Sequence, residues 1–195
     1  MNITLSDFIY IRDNALTPEF CQQVIDKFET DDRSEPGMVG RSETIRVDTN
    51  IKDSLDLNIS HISNWEEEDK VFYESLHHHM NQYLERTDLP CPIGFKNISD
   101  SGYQIQRTSP KAGYTWHDDA QSGQYVIDNG VRWATYIWYL NDVKKDGYTE
   151  FVDGTKVQPE AGKFVLFPAC WPFIHRGYPP KSELKYIVTG WLHTL

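Results

Sequence analysis

The chain has 195 residues, enough for one substantial domain with its own core and short for two. Apolar residues make up 39% of it and aromatics 13%, including six Trp and eleven Tyr, a composition that excludes intrinsic disorder. A formal charge of −10 argues against a nucleic-acid partner, which needs a basic face, and no apolar run approaches the length of a membrane span.

The first elements are helical. "TPEFCQQVIDKFET" opens with Thr17 as N-cap and Pro18 in the first helical position. Phe20, Cys21, Val24, Ile25 and Phe28 then recur at three-to-four residue spacing and form one buried stripe. A polar stretch follows, "DDRSEPGMVGRSETIRVDTNIKDS", too long for a plain connection. Part of it is expected to be extended, and its glycine-containing portion from Pro36 to Ser42 to act as a flap. The second helix lies in "SNWEEEDKVFYESLHHHMNQYLERTDL", where Ser63 and Glu66 have the spacing of a capping box. Trp65, Phe72, Leu76, Met80 and Tyr83 line one of its faces, and His77, His78 and His79 read as a solvated face.

The character changes near Ser101. "GYQIQR", "RWATYIWYL", "YTEFV", "GKFVLFP" and "LKYIVTGWLHT" are short β-branched and aromatic runs separated by turn residues, the pattern of an all-β sandwich or barrel. The expected architecture is α+β: a single domain over residues 1–195, helical to about residue 90, with helices packed on one face of a β core that occupies about 91–195. Cys21, Cys91 and Cys170 show no CxxC pairing, and the start shows no leader pattern, so a soluble, cytoplasmic protein is expected. The sequence is silent on oligomeric state.

Within "YTWHDDA", His117 and Asp119 are two residues apart and share a face if the segment is a strand, with Asp118 pointing away. The pair alone is a weak signal and needs a third ligand. Consecutive histidines at 77–79 fan out around a helix, His61 has no neighbour to work with, and His193 is nearly terminal. His175 follows a strand and turn, and Lys185 opens the last strong strand ten residues later. Two histidines and one carboxylate leave an iron with open positions, the arrangement of non-haem Fe(II) oxygenases. Zinc hydrolysis could use the same three residues but leaves Lys185 without a purpose. A buried lysine calls for an anionic partner, and the far carboxylate of a metal-chelating dicarboxylate would be one.

At this point the sequence resembles the 2-oxoglutarate and Fe(II)-dependent dioxygenases, in particular their prolyl 4-hydroxylase-like group. The resemblance runs in order along the chain: the opening "FIYIRDNALTPEFCQQVIDKF", then "QIQR", "HDD", "RWATYIWYLNDV", "DGYTEF", "VQPEAGKFVLF" and "HRGYPPKSELKYIVTGW". It implies a double-stranded β-helix, or jelly roll, for the β core. It also implies Fe(II) bound by His117, Asp119 and His175, and 2-oxoglutarate held by Lys185, with Tyr139 reaching the same carboxylate and Thr189 nearer the metal. Arg132 would lie near the substrate entrance, and Trp191 would be core. O2 would be the oxidant and ascorbate a reductant. The implied reaction is hydroxylation of an unactivated C–H, in a prolyl residue of a peptide or protein, with release of succinate and CO2. Two departures stand out: Thr108 occupies a position where relatives often have tyrosine, and Asp146 replaces a turn glycine. Two other readings remain: hydroxylation of a free amino acid or other small molecule, and a non-catalytic jelly-roll binding module.

Overall fold

The computed structural model describes residues 3–40, 44–86, 98–120 and 124–194. Helix α1 (Pro18–Glu29) starts as its sequence requires, with Thr17 accepting a hydrogen bond from the Phe20 amide and Pro18 just inside. Helix α2 (Glu66–Leu84) starts differently from expectation. Ser63–Trp65 form a 3-10 turn, Trp65 is the N-cap, and no capping box closes. The reason lies in Trp65, which is wholly buried and donates its indole N–H to Asp31 at 2.8 Å. Four acidic residues, Glu66 to Asp69, fill the first turn and supply the negative charge that a helix N-terminus favours. A short helix, α3 (Gln124–Asn129), was not foreseen from the sequence.

Fourteen strands follow the chain among the described residues: β1 (Tyr10–Arg12), β2 (Glu35–Pro36), β3 (Met38–Val39), β4 (Arg46–Val47), β5 (Leu55–Asn58), β6 (Ile98–Asp100), β7 (Gln104–Thr108), β8 (Tyr114–His117), β9 (Val131–Tyr139), β10 (Thr149–Phe151), β11 (Lys156–Val157), β12 (Phe164–Pro168), β13 (His175–Gly177) and β14 (Lys185–Thr194). The large sheet runs β1-β12-β9-β14-β7-β5-β2, with β6 also pairing β14; the small one runs β11-β10-β13-β8. Every pairing in both sheets is antiparallel, and the two sheets form the jelly roll. The N-terminal part is not purely helical, since β1, β2 and β5 extend the large sheet at both edges.

Strand alternation divides the apolar residues between two layers. Tyr136 and Trp138 of β9, Phe164 and Leu166 of β12, and Val188 and Leu192 of β14 pack under α1 and α2, against Cys21, Val24, Phe28, Phe72, Leu76 and Met80. Ile137 and Tyr139, with Val165 and Phe167, face Phe151, Val157 and Phe173 on the side of the small sheet. His79 departs from the solvated reading. It is 8% exposed, stacks on Phe164 with ring centroids 5.0 Å apart, and sits 3.2 Å from the Tyr10 hydroxyl. Burial lowers its pKa. Helical rotation sends this one histidine of the three into the core.

The expected flap falls partly outside the described residues, at Arg41 and Ser42; Cys91 lies outside them too. Pro36–Gly40 belongs to β2, β3 and the turn leaving them, and among the described residues β3 pairs only with β4, in a two-stranded ribbon.

Candidate active site

Strands β8 and β13 are neighbours in the small sheet, and their register places His117 directly opposite His175. The imidazole centroids are 4.3 Å apart. Strand β8 ends at His117, so Asp119 lies beyond the strand and its direction is set by the turn. Asp118 holds that turn by accepting the Ala120 amide at 3.0 Å, while Asp119 swings inward. One ligand atom from each of His117, Asp119 and His175 lies within 4.8 Å of the other two.

The surroundings orient these groups for a metal. His117 Nδ1 is 2.8 Å from the Thr115 carbonyl and His175 Nδ1 is 3.0 Å from that of Phe173. A backbone acceptor fixes the proton on Nδ1 and leaves each Nε2 lone pair pointing toward Asp119, 3.8 and 3.6 Å away. Thr135 on β9 donates its hydroxyl to Asp119 Oδ2 at 2.7 Å. Burial and the second imidazole hold His117 below the ordinary histidine range, which keeps it neutral and able to coordinate. For Asp119, burial alone would raise the pKa. The imidazoles of His175 and His117 and the Thr135 hydrogen bond outweigh it, so the carboxyl stays ionised. Neutral imidazoles and a carboxylate suit a divalent first-row metal, and three ligands leave room for others.

The cluster opens into a cavity between the sheets. Lys185, Ile187, Thr189 and Trp191 of β14 line it, with Thr135 and Ile137 of β9 and Gln106 and Thr108 of β7. Lys185 is 5% exposed, and its ammonium has no hydrogen bond or ion pair among the described residues. Burial lowers its pKa to about 8. Thr189 lines the cavity as expected, with its hydroxyl donated to the Tyr136 carbonyl at 2.9 Å. Tyr139 lies beside Lys185, whose Nζ is 5.7 Å from its ring centroid, but its hydroxyl donates to Thr149 Oγ1 at 2.7 Å, and burial raises its pKa. Arg132 is brought round by a bulge between Leu192 and His193, and its guanidinium lies 3.7 Å from the centroid of the Trp191 ring. Trp191, read as core, is a cavity wall instead.

The sequence reading missed Thr135, Gln106, Tyr114 and Lys52. Tyr114 stacks on His117 with centroids 3.6 Å apart, and a bulge in β8, where three residue steps oppose two of β13, is what turns it to that face. Thr135 lies in the run "RWATYIWYL", where strand propensity alone accounts for a threonine. Lys52 came from the stretch read as a polar connection, where only the period-two run Lys52, Ser54, Asp56 could have betrayed a strand.

A jelly roll with two imidazoles and a carboxylate converging on its inner wall, and a lysine without an ion pair in the same cavity, makes a candidate open metal site. Comparison with known proteins sharpens that reading. The family model for the 2OG-Fe(II) oxygenase superfamily matches residues 103–193, which carry all three clustered residues and Lys185. A putative prolyl 4-hydroxylase of Acanthamoeba polyphaga mimivirus is 29% identical over 114 residues, covering 51% of this chain; the match spans 46% of that relative's length. Among solved structures, the viral collagen prolyl hydroxylase of Paramecium Bursaria Chlorella virus-1, in its 2OG complex, superposes with a TM-score of 0.68 at 16% identity, covering 96% of this chain and 97% of that one. A Trichoplax adhaerens prolyl hydroxylase, in complex with a hypoxia inducible factor oxygen degradation domain peptide fragment, gives 0.75 at 16% identity, covering 97% and 84%. Residues 103–193 thus match the 2OG-Fe(II) oxygenase superfamily, a family of oxidoreductases, and the chain shares the fold of the prolyl hydroxylases on which it superposes. No described helix is long and apolar enough to cross a membrane.

Proposed function

We propose that this protein is an Fe(II)- and 2-oxoglutarate-dependent dioxygenase that hydroxylates an unactivated C–H of a prolyl residue in a peptide or protein. The observation that carries the reading is Lys185. A buried ammonium without an anion is costly, and it faces the same cavity as the His117, Asp119 and His175 cluster. A dicarboxylate that chelates a metal at one end and meets Lys185 at the other accounts for both features.

His117, Asp119 and His175 would hold the iron. Their Nδ1 contacts and the Thr135 hydrogen bond keep the ligand atoms aimed before any metal arrives. Lys185 would bind the distal carboxylate of 2-oxoglutarate, with Ile187 and Thr189 forming the wall beside it. Iron with 2-oxoglutarate and O2 supplies the oxidising power, one oxygen atom entering the substrate and the other leaving in succinate as CO2 is released. The protein's part is to position the substrate C–H and to exclude water. Arg132, stacked on Trp191, is the proposed entrance residue, and ascorbate the expected reductant. The prolyl assignment rests on the mimiviral relative and on the prolyl hydroxylase folds, one of them holding a peptide.

The test is an anaerobic titration of metal-free protein with Fe(II), then 2-oxoglutarate, following the visible metal-to-ligand charge-transfer band. The band should appear in the wild type and be absent in His117→Ala. A folded wild type with no band would withdraw the assignment in favour of a binding module or another metal.

A further inference from the structure

The cavity holds a second buried lysine that the proposed chemistry leaves unused. Lys52 is 6% exposed and lies on the segment that joins the two sheets. It forms a β-bridge with Tyr114, the Asp53 amide donates to the Gly113 carbonyl, and the Thr115 amide donates to the Ile51 carbonyl. Three residues after Lys52 the same chain enters β5 of the large sheet. Lys52 Nζ donates to Asp56 Oδ2 at 2.5 Å, and Ser54 Oγ donates to Asp56 Oδ1 at 2.7 Å. Both carboxylate oxygens are therefore engaged, while the ammonium keeps two further N–H donors. Lys52 Nζ is 5.8 Å from the centroid of the Tyr114 ring, the same ring that stacks on His117.

Two features argue that this pair serves a ligand and is not packing alone. A buried ion pair is generally no more stabilising than apolar residues of the same volume, so its presence calls for another use. The chain also closes tightly over it. A Cβ at Gly37 would come within 2.3 Å of Ser54 Oγ and 3.0 Å of Lys52 Cε, so the segment between β2 and β3 lies directly against the pair. Lys52 and Ser54 line the metal-side cavity and also a second recess, with Pro36, Gly37 and Thr49. Space for a ligand thus continues past Lys52, which suits an extended chain better than a single amino acid.

Charge decides what Lys52 can receive. Paired with Asp56, it offers donors without net positive charge. A neutral carbonyl oxygen fits that environment; a free carboxylate would also meet the negative Asp56 and Asp119. We propose that the Lys52 ammonium, fixed by Asp56, anchors a backbone carbonyl of an extended peptide substrate that runs from the metal cavity into the second recess. This rests on the oxygenase reading above for the site and deepens it toward peptides.

The experiment measures binding of acetylated, amidated proline-containing pentapeptides and of free L-proline to the anaerobic protein loaded with Fe(II) and 2-oxoglutarate, by calorimetry. Lys52→Met is compared with the wild type. A double variant, Lys52→Met with Asp56→Leu, removes both charges in case the single change leaves Asp56 buried and the fold broken. Peptide affinity should fall about 10- to 100-fold in both, as expected for loss of a hydrogen bond from a charged donor. The 2-oxoglutarate affinity should stay within about twofold, because Lys185 is untouched. Peptide binding unchanged without the ammonium overturns the proposal. So does a wild type that prefers free L-proline, or one that binds no capped peptide while its 2-oxoglutarate band is intact. A wild type without the band fails the oxygenase reading first, and the Lys52 proposal falls with it.

Discussion

The two faces of the large sheet are made by the same strands and do opposite work. On β14, Tyr186, Val188 and Leu192 point into the helix-covered core, while Lys185, Ile187, Thr189 and Trp191 line the cavity. On β9, Tyr136 and Trp138 face the helices and Thr135 faces Asp119. Period two sends alternate residues to opposite sides, so stability and chemistry are interleaved in sequence yet separated in space. Substitutions on the two faces should therefore differ in kind as well as in size.

The largest effect belongs to the helix side. Trp138 is fully buried, packs on Phe72, Tyr103 and Phe164, and donates its indole N–H to Ser75 Oγ at 3.1 Å. Trp138→Ala should cost about 3–5 kcal/mol of unfolding free energy in a urea titration. A loss below about 1 kcal/mol would mean that the site can collapse, and the division between the faces would not hold.

Lys185→Met should act with opposite sign on the two properties. Burial lowers the lysine from 10.5 to about 8, so an unfolded chain keeps a proton that the folded apo chain releases between those values. The unfolded state binds more protons there, so apo stability rises with pH from about 8 to 10.5. Below about 8 the whole penalty is present, roughly 3 kcal/mol. The apo variant should then be more stable than the wild type at pH 7, by up to that order. Its 2-oxoglutarate binding should weaken by about 2–3 kcal/mol through the lost charge partner. In the wild type, 2-oxoglutarate binding should weaken as pH rises through about 8 and the ammonium discharges. A variant less stable at pH 7, with 2-oxoglutarate affinity unaltered, would show Lys185 to be structural.

How much of this was legible follows the same division. The helix-side core was readable because apolar residues at fixed spacing leave few alternatives: Val24, Ile25 and Phe28 on α1 and Phe72, Leu76 and Met80 on α2 are buried as their periods require. His117, Asp119 and His175 were legible as a candidate metal set through residue chemistry and ordered motifs, and the structure gathers them by strand register that no local pattern encodes. The strand argument for Asp119 named the carboxylate that the structure brings beside the two imidazoles, but for an incomplete reason, since β8 stops at His117 and the turn held by Asp118 does the rest. Lys52 and Tyr114 stayed hidden because their roles depend on a bridge between distant segments and on a bulge, and neither has a sequence period.

Thr135 supplies the finest distinction between the faces. It is a β-branched residue in a central strand, which its propensity alone would explain, yet its hydroxyl is spent on Asp119 Oδ2. Thr135→Val keeps the shape and removes the donor. Asp119 would then lose the group that fixes its second oxygen and one of the influences that keep it ionised. Metal affinity should fall about 10- to 100-fold, as for other groups that orient a ligand from behind it. The apo unfolding free energy should change by less than about 1.5 kcal/mol, since one hydrogen bond is lost and no cavity opens. Thr135→Ser, which restores the hydroxyl without the methyl, should recover most of the affinity. If it does not, or if the valine variant binds metal as the wild type does, then Thr135 is a packing residue and the cavity face of β9 contributes only shape.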